Sequence, residues 1–398
     1  MAEKKTWDLV SLASIPLVMT LGNSMLIPVL PTIEKELQIT SLQVSLIITV
    51  YSVVAIALIP IAGYLSDQYG RKRIIIPSLV IAALGGLISG WSAWQMKDAY
   101  GAIIVGRLLQ GVGAAGAAPI VMPLVGDLYQ NESDVSKGLG VIETANTFGK
   151  VLSPILGAIL AASVWFMPFF AFPVFCLISI FMMIFLVKTP PLSIVPPKID
   201  VFFRSLKYIF KNEGRWLYAV FAIGCICMFV LFGVLFYLST MLEEQHNIEG
   251  IKKGIILAIP LAALCFSSYI TGKGIGKEKQ RMKVVTTVGL LILTIANFSV
   301  AFTKDIYVLL TAMFASGLGI GFALPSLDAL VTEGIEKEER GTITSVYSSM
   351  RFVGVALGPP IVAIIMKVSH FILFVIITFI SLIAVLISMI FIKPSEDD

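Results

Sequence analysis

The chain has 398 residues, of which 57% are apolar and 14% charged, with 29 Lys and Arg against 25 Asp and Glu. A soluble body carries about 25% charged residues, so these charges are too sparse to cover a water-facing surface. A soluble enzyme, a disordered chain and a secreted disulfide scaffold are excluded, and an integral membrane protein remains. Cys176, Cys225, Cys227 and Cys265 lie in apolar stretches and His246 and His370 near segment ends, so no disulfide framework, metal site or histidine chemistry is expected.

Charge-free windows mark the spans in chain order. They run from Leu9 to Ile33, Leu37 to Ser66 and Ile74 to Met96, followed by a span over about 101–127 that holds Arg107. A fifth begins near Gly138 and turns at Trp165–Pro168 into a sixth that ends near Val187. The second half repeats the count with Trp216 to Leu242, Gly254 to Gly272, Val284 to Thr303, Ile306 to Leu327, about 342–366 with Arg351, and Val368 to Ile392. The first window is too long for a signal peptide and has no small-residue cleavage site after it, so it reads as a retained span. Twelve helices are expected, in two six-helix halves over 1–188 and 216–398. The connection over 189–215 reads as a proline-rich linker followed by a basic amphipathic segment along the membrane surface.

Lysine and arginine fix the orientation. The termini and the even-numbered loops hold 20 of them, and the opposite side only Lys35, Lys97, Lys252, Lys253, Lys304 and Lys367. Both termini are therefore expected on the cytoplasmic side of a cell membrane. The net charge of +4 follows from this asymmetry and implies no nucleic-acid partner.

The halves echo each other. An offset of 206 carries Gly111, Gly113, Pro119 and Asp127 onto Gly317, Gly319, Pro325 and Glu333, and an offset of 205 carries Gly149 and Pro154 onto Gly354 and Pro359. Transporters built from parallel repeats hold their substrate between two such halves, near mid-membrane. Gly111-Val112-Gly113-Ala114-Ala115-Gly116 matches a nucleotide-binding pattern by letter. It sits inside an apolar span with no strand before it, and no phosphate-binding Gly-Lys-Ser/Thr motif exists, so an ion gradient is the expected energy source.

Gly63-Tyr64-Leu65-Ser66-Asp67-Gln68-Tyr69-Gly70-Arg71-Lys72-Arg73 joins the second and third spans. It resembles the signature loop of the major facilitator superfamily. Arg107-Leu108-Leu109-Gln110-Gly111-Val112-Gly113 resembles a second motif of that family, and Gly140, Gly149, Pro154 and Gly157 fall in register with its antiporter motif. Ser153 and Ala158 replace two glycines of that motif but stay small enough for close helix packing. The resemblance implies an all-α membrane protein of two pseudo-symmetric six-helix bundles, a drug:proton antiporter. It would export small amphipathic compounds by alternating access as a monomer in the bilayer, with no cofactor beyond the proton gradient. A metabolite or sugar exporter or symporter is the alternative, and a non-transporting receptor a more remote one. In the signature loop, Gly63, Asp67, Gly70 and Arg71 are implied to act with Asp127 as a gate.

Ionisable groups inside spans are costly and mark functional candidates. On the fifth span Glu143, Asn146 and Lys150 share one helical face, beside a stripe of Gly149, Ser153 and Gly157. On the eleventh, Tyr347 and Arg351 share the matching face, while Asn23 lies in the first and Arg107 and Gln110 in the fourth. These residues are expected to line the substrate cavity, with Glu143 as the proton-coupling acid. The other reading makes Glu143 a static partner of Arg107 or Arg351. Asp328, near the end of the tenth span, is expected at the interface.

Overall fold

The computed structural model describes residues 2–129, 132–188, 215–276, 278–303, 305–335 and 337–392. Every regular element among them is helical. Twelve helices are long and apolar enough to cross a membrane. In the first half these are α1 Thr6–Glu36, α2 Ser41–Tyr69, α3 Arg71–Gln95, α4 Tyr100–Leu128, α5 Lys137–Ser163 and α6 Met167–Phe185. In the second they are α7 Arg215–Glu244, α8 Gly250–Gly274, α9 Lys279–Ala301, α10 Ile306–Thr332, α11 Ile343–Ile365 and α12 His370–Phe391. The expected linker and amphipathic segment lie outside the described residues, except Arg215, which opens α7.

Two spans are broken, and proline is the cause. In α1 the helix stops at Ser24, passes through a 3-10 turn at Ile27–Val29, and resumes at Leu30. Pro28 and Pro31 have no N–H to continue the ladder. In α4 the helix ends at Ala115 and restarts at Ala118, where Pro119 cannot donate back to Ala115. Such breaks leave backbone carbonyls that need other partners in an apolar medium.

Glycines set the packing, and the repeat read from the sequence is visible in what they touch. Gly111 lies against the Tyr51 backbone of α2, and its counterpart Gly317 against Pro260 of α8. Gly113 faces Ser78 and Ala82 of α3, and Gly319 faces Gly289 and Leu293 of α9. Gly149 meets Leu17 and Thr20 of α1, and Gly354 meets Cys225 and Phe229 of α7. Small residues thus let the same helix pairs approach in both halves, where lipid offers no hydrophobic drive for association. A pair of lysines repeats too. Lys72 Nζ donates to the carbonyls of Ile184 and Val187 at the end of α6, and Lys283 Nζ donates to that of Met389 near the end of α12. Each lysine meets the negative end of a helix dipole.

A side chain at Gly354 would run into the Cys225 carbonyl, whereas a methyl group added at Gly140 would meet nothing within 4 Å. Gly354→Val is expected to cost about 1–3 kcal/mol or more, as overpacking does. Gly140→Ala should leave the unfolding midpoint in detergent unchanged. Equal thermal stability of the two variants would refute this packing account.

Contacts divide the chain into two compact units. One comprises the described residues of Met1–Phe202 and Ser239–Ile255, the other those of Phe203–Leu238 and Ile256–Asp398. The end of α7, the turn after it and the start of α8 therefore group with the first half of the sequence.

Candidate functional site

In the first unit Arg107 is the centre of a closed polar network. Its side chain is fully buried. Nε donates to the Ile47 carbonyl at 2.8 Å and Nη1 to the Gly22 carbonyl at 3.0 Å and to Gln110 Oε1. Nη2 donates to Asn23 Oδ1 at 2.6 Å, and the guanidinium lies 4.7 Å from the centre of the Tyr51 ring. The planar fork suits this role, because it serves several acceptors at fixed angles while one face rests on an aromatic ring. The structure thus brings together Asn23, Arg107 and Gln110 from the set expected to line the cavity. Tyr51 is an addition to that set, since a tyrosine in a charge-free span carries no sequence signal of its partner.

On α5 the expected polar face exists. Thr20 Oγ1 donates to Asn146 Oδ1 at 2.7 Å, and Asn146 Nδ2 lies 3.3 and 3.4 Å from the two carboxylate oxygens of Glu143. Thr147 Oγ1 donates to the Glu143 carbonyl at 2.8 Å. Among the described residues no cation is paired with Glu143, whose carboxylate is held by neutral groups and is partly exposed. Arg107 is committed to neutral acceptors, so the static Glu143–Arg107 pair is not the arrangement found. Lys150 is buried, further along the same helix. The adjacent stripe packs: Gly149 and Gly157 abut α1 at Leu17 and Met25, while the Pro154 carbonyl and Ala158 face Gly254.

The signature loop is built as a tight charged turn. Gly70 has φ 100°, a left-handed value that a residue with a side chain adopts only with strain, so α2 can end and α3 begin one residue apart. Arg71 forms an ion pair with Asp67 one turn back, donates to Ser66 Oγ at 2.7 Å, and meets Asp127 Oδ2 of α4 at 3.1 Å. Ser66 Oγ donates in turn to the Gly63 carbonyl at 2.7 Å. The Arg71–Asp127 contact is the one expected from the sequence. Both carboxylates are nearly half exposed, so the cluster contributes little to stability, about 1 kcal/mol or less per pair. Its value lies in geometry. Asp67→Asn is expected to leave expression and folding intact while reducing transport at least tenfold. Normal turnover in a well-expressed variant would count against the gating role expected of the loop.

The second unit holds its own cluster. Arg351 Nη1 lies 3.5 Å from Asp328 Oδ1, and its guanidinium 5.7 Å from the centre of the Tyr347 ring. Tyr347 is 2% exposed, stacks on Phe221 with ring centres 6.0 Å apart, and fits because Gly224 of α7 has no side chain to collide with it. Tyr347 and Arg351, expected on one helical face, lie against each other. Asp328, expected as an interfacial group, is 35% exposed and faces Arg351. Its position on α10 gives no hint of a partner 23 residues away.

The chain matches the family model described as Major Facilitator Superfamily over residues 12–359 and again over 281–398. The chain belongs to the Major Facilitator Superfamily. It is a multi-pass membrane protein of a transporter family, and no cluster of three or more metal-ligating side chains occurs among the described residues. The Bacillibactin exporter of Bacillus subtilis (strain 168) is 55% identical over 394 residues, covering 98% of either chain. Multidrug resistance protein 2 of the same organism is 25% identical over 367 residues, covering 90% of this chain and 88% of its own. Among solved structures, a bacterial homologue of the human lysosomal transporter Spinster superposes with a TM-score of 0.80 at 16% identity, over 99% of both chains. The human organic anion transporter MFSD10 (TETRAN) gives 0.75 at 16% identity, over 96% of this chain and 99% of its own. At those identities the two structures bear on the fold alone. Among the described residues the Arg107 network is fully buried, while Glu143 on the α5 face and the Arg351–Asp328 pair are partly exposed.

Proposed function

We propose that this chain is a proton-coupled exporter of the bacterial cytoplasmic membrane, with both termini cytoplasmic, and that its cargo is a siderophore. The observation that carries the reading is the 55% identity to the Bacillibactin exporter along 98% of both chains. This favours metabolite export over the amphipathic drug cargo implied by the antiporter-type motifs. Proton coupling is supported by the sequence, which offers no phosphate-binding motif for ATP, and by an acid on α5 held by neutral groups. In this reading Glu143 exchanges the proton, while Asn23, Arg107, Gln110, Asn146 and Lys150 in one unit and Tyr347 and Arg351 in the other bind and position cargo. Asp67, Gly70, Arg71 and Asp127 gate the cytoplasmic end.

The test is deletion of the gene in its host under iron limitation, with siderophore measured inside and outside the cells by mass spectrometry. Secretion is expected to fall several-fold while the compound accumulates inside, and a protonophore should reproduce the defect in the parent strain. Unchanged secretion would overturn the cargo assignment. Drug export is the second reading, favoured by the 25% identity to Multidrug resistance protein 2. It predicts instead that the deletion strain becomes sensitive to toxic amphipathic cations.

A further inference from the structure

The repeat carried by the glycines assigns the Arg107 network a counterpart within the second unit, on α7, α8 and α10. The step from Gly111 to Gly317 also carries Arg107 to Met313 and Gln110 to Ser316. Gly111 abuts the Tyr51 carbonyl and Gly317 the Pro260 carbonyl, so Tyr51 and Ile47 correspond to Pro260 and Ile256. Gly149 meets the Leu17 carbonyl and Gly354 that of Cys225, which carries Gly22 and Asn23 to Val230 and Leu231. The contacts of Met25 with Gly157 and of Gly233 with Val362 keep the same register. Every member of the network therefore has a counterpart, and none of the counterparts is charged.

What stands there is a void. Val230, Leu231, Pro260, Met313 and Ser316, all buried, are among the residues around a cavity of about 20 Å³. Ser316 is 5% exposed, and its Oγ has no hydrogen-bond partner among the described residues. Pro260 has no N–H for the Ile256 carbonyl, the counterpart of the Ile47 carbonyl that Arg107 serves. The first unit thus fills this place with a guanidinium that meets its acceptors, and the second leaves a hydroxyl unserved in apolar walls. Such a void is a poor water site, since a buried water makes about three hydrogen bonds.

We propose that this is a binding site for a neutral hydroxylated aromatic ring of the cargo, admitted when Met313 turns aside and held by a hydrogen bond to Ser316 Oγ. That the ring belongs to the cargo rests on the export reading above; the ring chemistry rests on the walls. Walls without a charge exclude an ion, whose burial without a partner is costly. Val230, Leu231 and Pro260 offer apolar surface, and the Met313 thioether adds a contact that aromatic rings favour. The void is smaller than a ring, so one wall must yield. Met313, unbranched and with three rotatable bonds, yields most readily. A bare ring would leave the Ser316 hydroxyl stranded, whereas a ring hydroxyl serves it.

Methionine methyl NMR of the full-length protein in lipid nanodiscs reads the site without transport, the Met313 signal being assigned with Met313→Leu. 3-Hydroxybenzamide, a neutral soluble phenol, is expected to shift that signal saturably, and benzamide to bind about tenfold more weakly. Ser316→Ala should weaken 3-hydroxybenzamide about tenfold, the loss of one buried hydrogen bond, and leave benzamide unchanged. Ser316→Leu, which fills the void, should abolish binding of both. No saturable shift in the wild type, or equal affinity of wild type and Ser316→Ala for the phenol, would overturn the site. In cells, Ser316→Leu at wild-type membrane levels should lower siderophore secretion several-fold. Full secretion by that variant would overturn the assignment of the ring to the cargo. Failure of the wild-type protein to export siderophore would overturn the functional reading instead, and the titration would decide the ring site alone.

Discussion

Arg107→Lys is expected to reduce transport at least tenfold and to lower the unfolding midpoint of the protein in detergent. The guanidinium serves four acceptors drawn from α1, α2 and α4 itself, two of them backbone carbonyls, while resting on Tyr51. An ammonium has three donors on one atom and no flat face, so at least one acceptor goes unserved and the aromatic contact is lost. A buried polar group without a partner costs about 1–3 kcal/mol, and each 1.4 kcal/mol misplaced from the rate-limiting step is about tenfold in rate. Arg107→Ala strands all four acceptors and should fail to fold, which makes the lysine variant the informative one. Wild-type transport and stability in Arg107→Lys would show that the network is not what positions these three helices.

Glu143→Gln is expected to abolish accumulation of cargo driven by an imposed pH difference while leaving cargo binding in detergent intact. The amide is the same size as the acid and keeps an oxygen for the Asn146 and Thr147 side-chain contacts, and the Thr147 bond to the backbone carbonyl is untouched, so the geometry of the α5 face survives. What is lost is the ability to take up and release a proton. Among the described residues the hydrogen-bond partners of the carboxylate are Asn146 and Thr147, both neutral. Vesicles of the variant that still concentrate cargo against its gradient would assign coupling elsewhere, the Asp328–Arg351 pair being the next acid to replace.

The sequence by itself determined the number of spans, the family and the packing register. These are local or repetitive properties: hydropathy is read within about 20 residues, and the glycines at 111, 113, 149, 317, 319 and 354 declare their role because the same small residue recurs at one offset. The Arg71–Asp127 contact was legible for the same reason, being attached to a recognisable loop. The tertiary structure alone decided how the buried charges are used. Arg107 could have met Glu143, but it meets the Gly22 carbonyl and Asn23 of α1, just before the break in that helix, and the Ile47 carbonyl of α2. Asp328 faces Arg351, and Glu243 lies between Lys35 and Lys253, across 208 positions from the former. Pairing of a charge inside a membrane depends on which helices neighbour it and how each is rotated. Helix rotation is set by the sum of many small-residue contacts, which leave no mark at the charged residue itself.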